Sequence, residues 1–387
     1  MNRILSAALL LFTLGLAAGE GPAPVFEAQD VDTKVMIGYG LAIGDVDGDG
    51  KPDILLADKE QIVWYHNPDW TRHVICEKPS KLDNVCIAAR DLDGDGKVEV
   101  AFGANWNPAD TENSGSVHYL IAPADRKQKW EVVDLHREPT VHRMRWIQAK
   151  DNSFRLVVAP LHGRGNKNQA GVGVKILAYS KPANPKDAWT TELMDESLHV
   201  THNFDPVKWD ADAEDEVVLG GKEGVLLLDR GADKWTSTKL TESGAGEVRA
   251  GQFAPGKRFI ATVEPFHGDK LCVFTPKDDP KAIWERRVID EALKEGHALA
   301  CADLLGIGSD QIVMGWRNPN AAQKVGINLY IPVDGGKEWR KVSVDENGMA
   351  CEDLQVADLN GDGKLDIIAA GRATKNVKVY WNKTAKP

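Results

Sequence analysis

Short apolar runs with strand-like patterning recur along the whole chain. Seven of them occupy the same place in a longer repeat, at residues 62–65, 117–120, 174–177, 225–228, 271–274, 327–330 and 377–380. Short apolar runs of this kind, bounded by turn residues, are typical of β-strands. Their recurrence at intervals of roughly 40 to 60 residues predicts a propeller or another array of repeats.

Tryptophan marks a further strand in most copies of the repeat. Six of the seven runs are followed by a Trp and, five residues later, by a usually apolar residue; these are Trp70, Trp130, Trp189, Trp235, Trp284 and Trp339. The seventh copy lacks this strand, whereas Phe26 and Val31 near the start of the chain have the same spacing. We therefore expect residues 26–32 to complete the last blade.

The predicted fold is all-β, a seven-bladed β-propeller of four-stranded blades that is closed by the N-terminal strand. Closing the ring removes the sheet edges that an open array would expose. An open solenoid would instead need capping repeats at both ends. We expect residues 20–387 to form this single domain, and the 42% of hydrophobic residues supply a sizeable core.

Three acidic loops share one spacing, at residues 45–53, 91–99 and 358–366. Oxygen ligands at positions 1, 3, 5 and 9 of a glycine-containing loop suit calcium, and the flanking strands exclude an EF-hand. A solvated acidic turn without metal is the alternative. The copies at Asp210 and Asp303 are degenerate, and metal there is doubtful. The predicted ligands are Asp45, Asp47, Asp49, Asp53, Asp91, Asp93, Asp95, Glu99, Asp358, Asn360, Asp362 and Asp366.

This repeat resembles the FG-GAP or VCBS family, whose blades carry DxDGDG calcium loops. The resemblance extends over nearly all of residues 26–382. It implies the propeller architecture and the bound calcium. It leaves the activity open, because one fold can carry many functions.

Composition and charge restrict the partners and the cellular location. A formal net charge of -11 argues against nucleic acid or an anionic membrane as the partner. Residues 1–19 have a basic start, an apolar run and small residues before Glu20, which predicts a signal peptide and a secreted or periplasmic protein. No later apolar run is long enough for a membrane span. The five cysteines have no CxxC spacing and predict neither a disulfide framework nor a zinc knuckle.

Polar residues concentrate where the blades should surround the mouth of a central channel. In a four-stranded meander the acidic loops between strands one and two lie on the bottom face, so strand-one starts and strand-two ends lie on the top face. Six of the ten histidines fall there: His142, His162, His199, His202, His267 and His297. Tyr39, His142, His297 and Glu352 each stand six residues before a loop start and should share one blade position. We expect a one-residue bulge to turn such a residue into a blade interface.

Two chemistries fit these top-face residues. Histidines from different blades can bind a divalent ion, and another His or Tyr can move a proton beside it. Our candidates for metal binding are His202, His267 and His297, holding zinc, magnesium, manganese or calcium. The candidate catalytic residues are His142 as base, His162 or Tyr39 in its place, and Arg164. The candidate substrate-binding residues are Arg145, Arg317, Arg372, Trp106, Trp316 and Glu352. A packing or capping role is the alternative for any single histidine, and packing within the blades is the alternative for the two tryptophans.

Four top-face segments, residues 141–146, 159–165, 201–206 and 296–299, resemble the propeller of the fungal aldos-2-ulose dehydratases. They are also similar in kind to single-domain seven-bladed polysaccharide lyases. The resemblance implies a carbon–oxygen lyase that removes a proton beside a sugar carbonyl or carboxylate and expels a β-substituent. We expect a secreted lyase acting on an oxidised or uronic sugar. The alternative is a non-catalytic FG-GAP module that binds carbohydrate or protein, and the oligomeric state stays open.

Overall fold

The fold is described from a computed structural model that covers residues 23–231 and 234–385. These residues form seven antiparallel sheets of four strands each, which confirms the predicted propeller. The one helix among them is a 3-10 turn, Asp334–Gly336, so no described helix is long enough to cross a membrane. The predicted signal peptide, residues 1–19, lies outside the described residues.

Six blades are simple meanders, in which four consecutive strands pair in chain order. Blade one contains β2 (Gly40–Gly44), β3 (Asp53–Ala57), β4 (Gln61–His66) and β5 (Thr71–Glu77). Blade two contains β6 (Cys86–Arg90), β7 (Glu99–Ala104), β8 (Ser116–Ile121) and β9 (Glu131–Leu135). Blade three contains β10 (Val141–Gln148), β11 (Phe154–Pro160), β12 (Ile176–Ser180) and β13 (Thr190–Asp195).

The next three blades repeat this order. Blade four contains β14 (Thr201–Val207), β15 (Glu216–Gly221), β16 (Gly224–Arg230) and β17 (Trp235–Lys239). Blade five contains β18 (Val248–Ala254), β19 (Lys257–Glu264), β20 (Lys270–Thr275) and β21 (Glu285–Asp290). Blade six contains β22 (Gly296–Ala302), β23 (Gln311–Trp316), β24 (Gly326–Val333) and β25 (Glu338–Glu346).

Blade seven joins the two ends of the described chain. It contains β26 (Cys351–Ala357), β27 (Asp366–Gly371) and β28 (Asn376–Asn382), and its outer strand is β1 (Phe26–Asp32). Strand β1 runs antiparallel to β28, with Phe26 opposite Asn382 and Asp32 opposite Val377. The N-terminal strand therefore closes the ring as predicted. Its pairing satisfies the edge of β28 that solvent would otherwise face.

The core lies between neighbouring blades, because both faces of each inner sheet are covered. Strands β3, β15, β23 and β27 are buried along their whole length. After a first acidic or amide residue, each continues with apolar or small residues rather than alternating ones. The first strands of successive blades contact one another around the ring and line the channel. Side chains at the start of these strands therefore reach the channel mouth on the top face.

Bulges interrupt the pairing at the start of several first strands. Register shifts occur at Val141/Arg143 in β10, Thr201/Phe204 in β14, Gly296/Ala298 in β22 and Cys351/Asp353 in β26. The skipped residues include His142, His202, His297 and Glu352. We expected such bulges to turn these side chains into blade interfaces. The structure corrects this expectation, because the bulged side chains meet at the channel mouth.

Candidate functional site

The three acidic loops on the bottom face have one hydrogen-bonding pattern. The first Asp accepts the amide protons of the residues three and five positions later, as Asp45 does from Gly48 and Gly50 at 2.6 and 2.7 Å. The last acid accepts the amide proton of residue two, as Asp53 does from Val46 at 2.8 Å. The loops at Asp91 and Asp358 repeat both features. These bonds give the three loops the same backbone shape.

The loops can take this shape because glycine occupies the tight positions. Gly48 and Gly50 have φ angles of 85° and 84°, a region that side-chain-bearing residues rarely adopt. Carboxylate oxygens of Asp45, Asp47 and Asp53 lie within 4.8 Å of one another, as do those of Asp91, Asp93 and Glu99. An all-oxygen donor set of this kind fits calcium. The bound ion itself stays a prediction.

Blade four has an altered loop, and its register differs from our expectation. The amide of Trp209 donates to Oε2 of Glu216 at 2.6 Å, which is the bond that Val46 makes to Asp53. Position one is therefore Lys208, and Asp210 stands at position three. The Lys208 ammonium contacts the carbonyl of Ala213 and lies 2.9 Å from the carboxylate of Asp215. A fixed positive charge thus stands where the other loops have their first carboxylate.

On the top face, His202, His267 and His297 converge from blades four, five and six. One ring nitrogen of each lies within 4.8 Å of the corresponding nitrogens of the other two. Nε2 of His267 faces Nε2 of His202, and the ring centroids of His202 and His297 are 5.3 Å apart. Nδ1 of His297 donates to the carbonyl of Glu352 at 2.6 Å, because a carbonyl only accepts, and this leaves its Nε2 lone pair free of a proton. We call these three residues the histidine cluster.

The environment keeps the histidine cluster uncharged. Burial lowers the pKa of His202 and of His297 well below the usual value for histidine, and neighbouring positive groups add to the shift. Burial, followed by the Arg317 guanidinium, lowers the pKa of His267 to about 4. Neutral imidazole is the form that binds a divalent metal. The cluster therefore fits a metal ion, and the ion stays a prediction.

Glu247 belongs to this site although it was not among the predicted site residues. Its Oε1 lies 3.1 Å from Nδ1 of His202, yet each of these two buried atoms lacks a hydrogen bond of good geometry within the described chain. Its other oxygen, Oε2, accepts a hydrogen bond from the side-chain Nδ2 of Asn203 at 2.7 Å. A small ring rotation would pair Glu247 with His202 and aim Nε2 at a metal, as carboxylates behind metal-binding histidines do. The signal in the sequence was an acid directly before a first strand.

His142 lies beside the cluster on blade three. Its Nδ1 donates to the carbonyl of His202 at 3.0 Å, and its Nε2 accepts a hydrogen bond from Nη1 of Arg143 at 3.1 Å. Burial first and Arg143 second lower the pKa of His142 well below the usual value. The Trp106 ring packs on the imidazole with centroids 4.9 Å apart. His142 is thus neutral, with its lone pair directed at Arg143.

A buried carboxylate connects the two candidate arginines. Glu352 accepts hydrogen bonds from Nη1 of Arg317 at 2.9 Å and from Nη1 of Arg372 at 2.8 Å. Arg317 also approaches His267, with 3.5 Å between Nη2 and Nδ1. The Arg372 guanidinium lies over the ring of Tyr39, 5.4 Å from its centroid. These residues form one network with the histidine cluster at the channel mouth.

Tyr39 enters this network as a hydrogen-bond donor. Its hydroxyl donates to Oδ2 of Asp83 at 2.9 Å. Burial and the Asp83 carboxylate raise the pKa of Tyr39 above its usual range, so the hydroxyl stays protonated. The hydroxyl is therefore not a base, and as a proton donor it is a weak acid whose proton is held by Asp83.

Four other predicted site residues have different surroundings. Trp316 is 4% exposed, packs in the core of blades five and six and donates to the carbonyl of Lys324 at 2.8 Å, which corrects its predicted role as a stacking wall. Arg145 lies within the channel and binds the backbone carbonyl of Phe204, with its pKa lowered to about 10 by burial and by nearby Arg249. Arg164 pairs with Glu138 at 3.2 Å, and His162 lines a separate cavity.

Two family models match parts of the chain. Residues 114–277 match the family described as "Aldos-2-ulose dehydratase, beta-propeller domain", which is less than half of the chain. Residues 45–102 match the FG-GAP-like repeat family. No curated protein matches the chain. The chain thus contains a propeller related to that of a sugar dehydratase and to FG-GAP repeats.

Solved structures show the fold alone. A chain in the "Crystal Structure of Mitotic Checkpoint Complex" is 10% identical, with a TM-score of 0.58, and the match covers 100% of this chain and 99% of that one. A chain in a structure of BBS1N in complex with ARL6DN is 12% identical, with a TM-score of 0.60, and the match covers 95% and 99%. Identities this low carry no information about function.

Proposed function

We propose that the top face is the active site of a metal-dependent lyase that acts on an oxidised or uronic sugar. The observation that carries this proposal is the convergence of three neutral histidines with a clamped carboxylate and two arginines at the channel mouth. Perturbed titratable groups that meet in a concavity mark candidate catalytic sites. The match to a sugar dehydratase propeller supports the substrate class.

The histidine cluster would hold the metal, with Glu247 behind His202. A divalent ion there would polarise a carbonyl or carboxylate of the sugar and make the neighbouring C–H more acidic. The bottom-face loops would hold calcium and stabilise the blades, remote from the chemistry. The predicted leader segment supports secretion, so we place the reaction outside the cytoplasm.

Two residues are placed to move the protons of an elimination. His142 has its Nδ1 proton fixed by the carbonyl of His202, so Nε2 is the atom that accepts the sugar α-proton. Arg143 must release Nε2 for this step. Its charge then disfavours the imidazolium, which gives its proton to solvent after the elimination and so regenerates the neutral base. The protonated Tyr39 hydroxyl would donate to the departing β-oxygen. The C–H electron pair becomes the new C=C bond as the β C–O bond breaks.

Arg372 and Arg317 would bind the acidic or oxidised end of the sugar. Arg372 is the more accessible of the two, with 41% of its side chain exposed. Both already pair with Glu352, which holds their guanidinium groups in place before a ligand arrives. Their planar forks suit a carboxylate or two neighbouring sugar oxygens.

The test is a screen of keto-sugars and uronate glycans for the new absorbance of a conjugated double bond. Turnover by the parent protein, with a loss of roughly 10²–10⁴-fold in His142→Gln, would support the proposal. His136→Ala is the matched control, because His136 is exposed and lies outside the cluster. An active parent whose His142→Gln and His297→Ala variants keep full turnover would contradict it. Binding of these glycans without any turnover would favour the binding module.

A further inference from the structure

A second cavity of about 570 Å³ opens on the top face between blades two and three. Its walls are two connecting loops, residues 105–115 between β7 and β8 and residues 161–175 between β11 and β12. The lining includes Asp110, Thr111, His162, Asn168 and Gln169. We call it the side cavity. It is the place where the structure puts His162, which we had predicted at the central site.

The side cavity is held open by hydrogen bonds between its two loops. The Thr111 hydroxyl donates to the carbonyl of Asn166 at 3.0 Å, and the amide of Gly165 donates to the carbonyl of Thr111 at 3.0 Å. Asn166 is 5% exposed. Its Nδ2 donates to the carbonyl of Val172 at 2.8 Å, and its Oδ1 accepts from the amide of Val172 at 2.7 Å. Loops cross-linked in this way form a preformed recess rather than a gap between mobile segments.

One rim of the side cavity is a tight turn with unusual residues. Lys167 and Ala170 pair in both directions at 3.1 Å, so Asn168 and Gln169 are the two central residues of the turn. Their φ angles are 52° and 60°, in the left-handed region that glycine adopts freely and in which a glutamine backbone is strained. Strained residues of this kind cluster at ligand sites. Here the strain keeps two amide side chains, each with a donor and an acceptor, at the edge of the recess.

The side cavity also adjoins the proposed active site. Trp106 belongs to the same loop, two residues before Pro108 of the cavity wall, and its ring packs on His142. On the other wall, the amide of His162 donates at 2.9 Å to the hydroxyl of Thr140, which stands two residues before His142. A chain-like ligand that reacts at the histidine cluster could therefore extend past Trp106 into the recess.

We propose that the side cavity binds an uncharged sugar unit of a glycan whose neighbouring unit occupies the histidine cluster. This inference rests on the proposed function and adds a binding place for a second unit of the substrate. Amides, the Thr111 hydroxyl and the Asp110 carboxylate match sugar hydroxyls in hydrogen-bonding capacity. The cavity walls also carry Glu112 and Lys167. The two carboxylates, Asp110 and Glu112, outnumber the one ammonium group, and this negative charge disfavours a uronate unit there.

The experiment measures binding of malto- and cello-oligosaccharides of one to six units, each carrying a uronate at one end, to the full metal-loaded protein by saturation-transfer NMR and calorimetry. We expect at least tenfold tighter binding for six units than for one. Ala109→Trp, which fills the recess, should abolish this dependence on length. So should the double variant Asn168→Gly/Gln169→Gly, which keeps the turn conformation and removes the two amides. Gln323→Gly, a left-handed glutamine on blade six, is the matched control and should bind as the parent does.

Several results would overturn the inference. They are equal binding of short and long oligomers by the parent, an unchanged length dependence in both cavity variants, or length-dependent binding confined to oligogalacturonate. Because binding is measured without turnover, the side cavity can be confirmed even if no elimination occurs. Conversely, a parent that turns over sugar but shows no length dependence would leave the proposed function standing and remove only this inference.

Discussion

The acidic loops of the bottom face and the histidine cluster of the top face respond to burial in opposite directions. Burial raises the pKa of Asp53 to about 7 and also raises the pKa of Asp366, whereas it lowers the pKa of the clustered histidines. In both places burial disfavours the charged form. A carboxylate loop without a cation therefore retains unfavourable charge, while a neutral imidazole is ready to bind. Metal at the bottom should stabilise the fold, and metal at the top should serve chemistry.

Removing calcium should produce the largest effect. Each loop that binds an ion only in the folded state gains about 2.7 kcal/mol when calcium exceeds the dissociation constant 100-fold. Three loops acting together should shift the melting temperature strongly when a chelator is added, as measured by calorimetry. Asp47→Asn should reduce this shift by weakening one of the three loops. An unchanged melting temperature in chelator would contradict the claim that metal in the bottom-face loops stabilises the fold.

The pH dependence of the metal-free protein sharpens the comparison. Because the pKa of folded Asp53 is raised to about 7, the stability that Asp53 contributes is present at low pH and is lost as the pH rises through 7. The full loss is about 4 kcal/mol for a shift of roughly three units from the usual value, and about two thirds of it falls between pH 5 and pH 8. In chelator the melting temperature should fall between pH 5 and pH 8, and calcium should flatten this fall. The fall should shrink in Asp53→Asn, and a parent that melts equally at both pH values would exclude this explanation.

Glu247→Gln should weaken metal binding at the top without changing the fold. Removing a carboxylate behind a metal-binding histidine typically costs 10- to 100-fold in affinity. The affinity is measured by competition with a chromophoric chelator, and calorimetry without the top-face metal should give the parental melting temperature. Glu223→Gln is the matched control, because Glu223 pairs with His199 at 2.9 Å on the same face but outside the cluster. Equal affinity in Glu247→Gln and the parent would show that Glu247 does not orient His202.

The smallest effect should come from blade four, where Lys208 supplies a built-in positive charge. Its pairing with Asp215 is partly exposed, so Lys208→Met should cost about 1 kcal/mol or less. The cost should be the same in calcium and in chelator if the Lys208 ammonium replaces an ion beside Asp210, Asp212 and Glu216. A destabilisation that appears only in chelator would show that blade four also binds calcium.

The sequence predicts the fold better than the site. The fold follows from patterns that repeat within short stretches of the chain, whereas the site is formed by side chains from distant blades. The loops repeat a local hydrogen-bonding pattern, and the spacing of Phe26 and Val31 reveals the closing strand, so the blades can be counted directly. The direction of His142 depends on a single bulged residue in β10, which the pattern does not show. Lys208 was missed because its loop was aligned on Asp210, two positions too late. Trp316 was misplaced because core and surface tryptophans look alike in a repeat.

Metal analysis of the parent and of the double variant His202→Ala/His297→Ala tests the central claim most directly. Both proteins are dialysed against buffer with traces of calcium, zinc, manganese and magnesium, and their metals are counted by mass spectrometry. We predict that the variant loses one divalent ion per chain and keeps the ions of the bottom-face loops, and that both proteins melt alike when only those loops are occupied. Loss of more than one ion per chain, a lower melting temperature of the variant under that condition, or an unchanged metal content would contradict the division into a stabilising bottom face and a chemical top face.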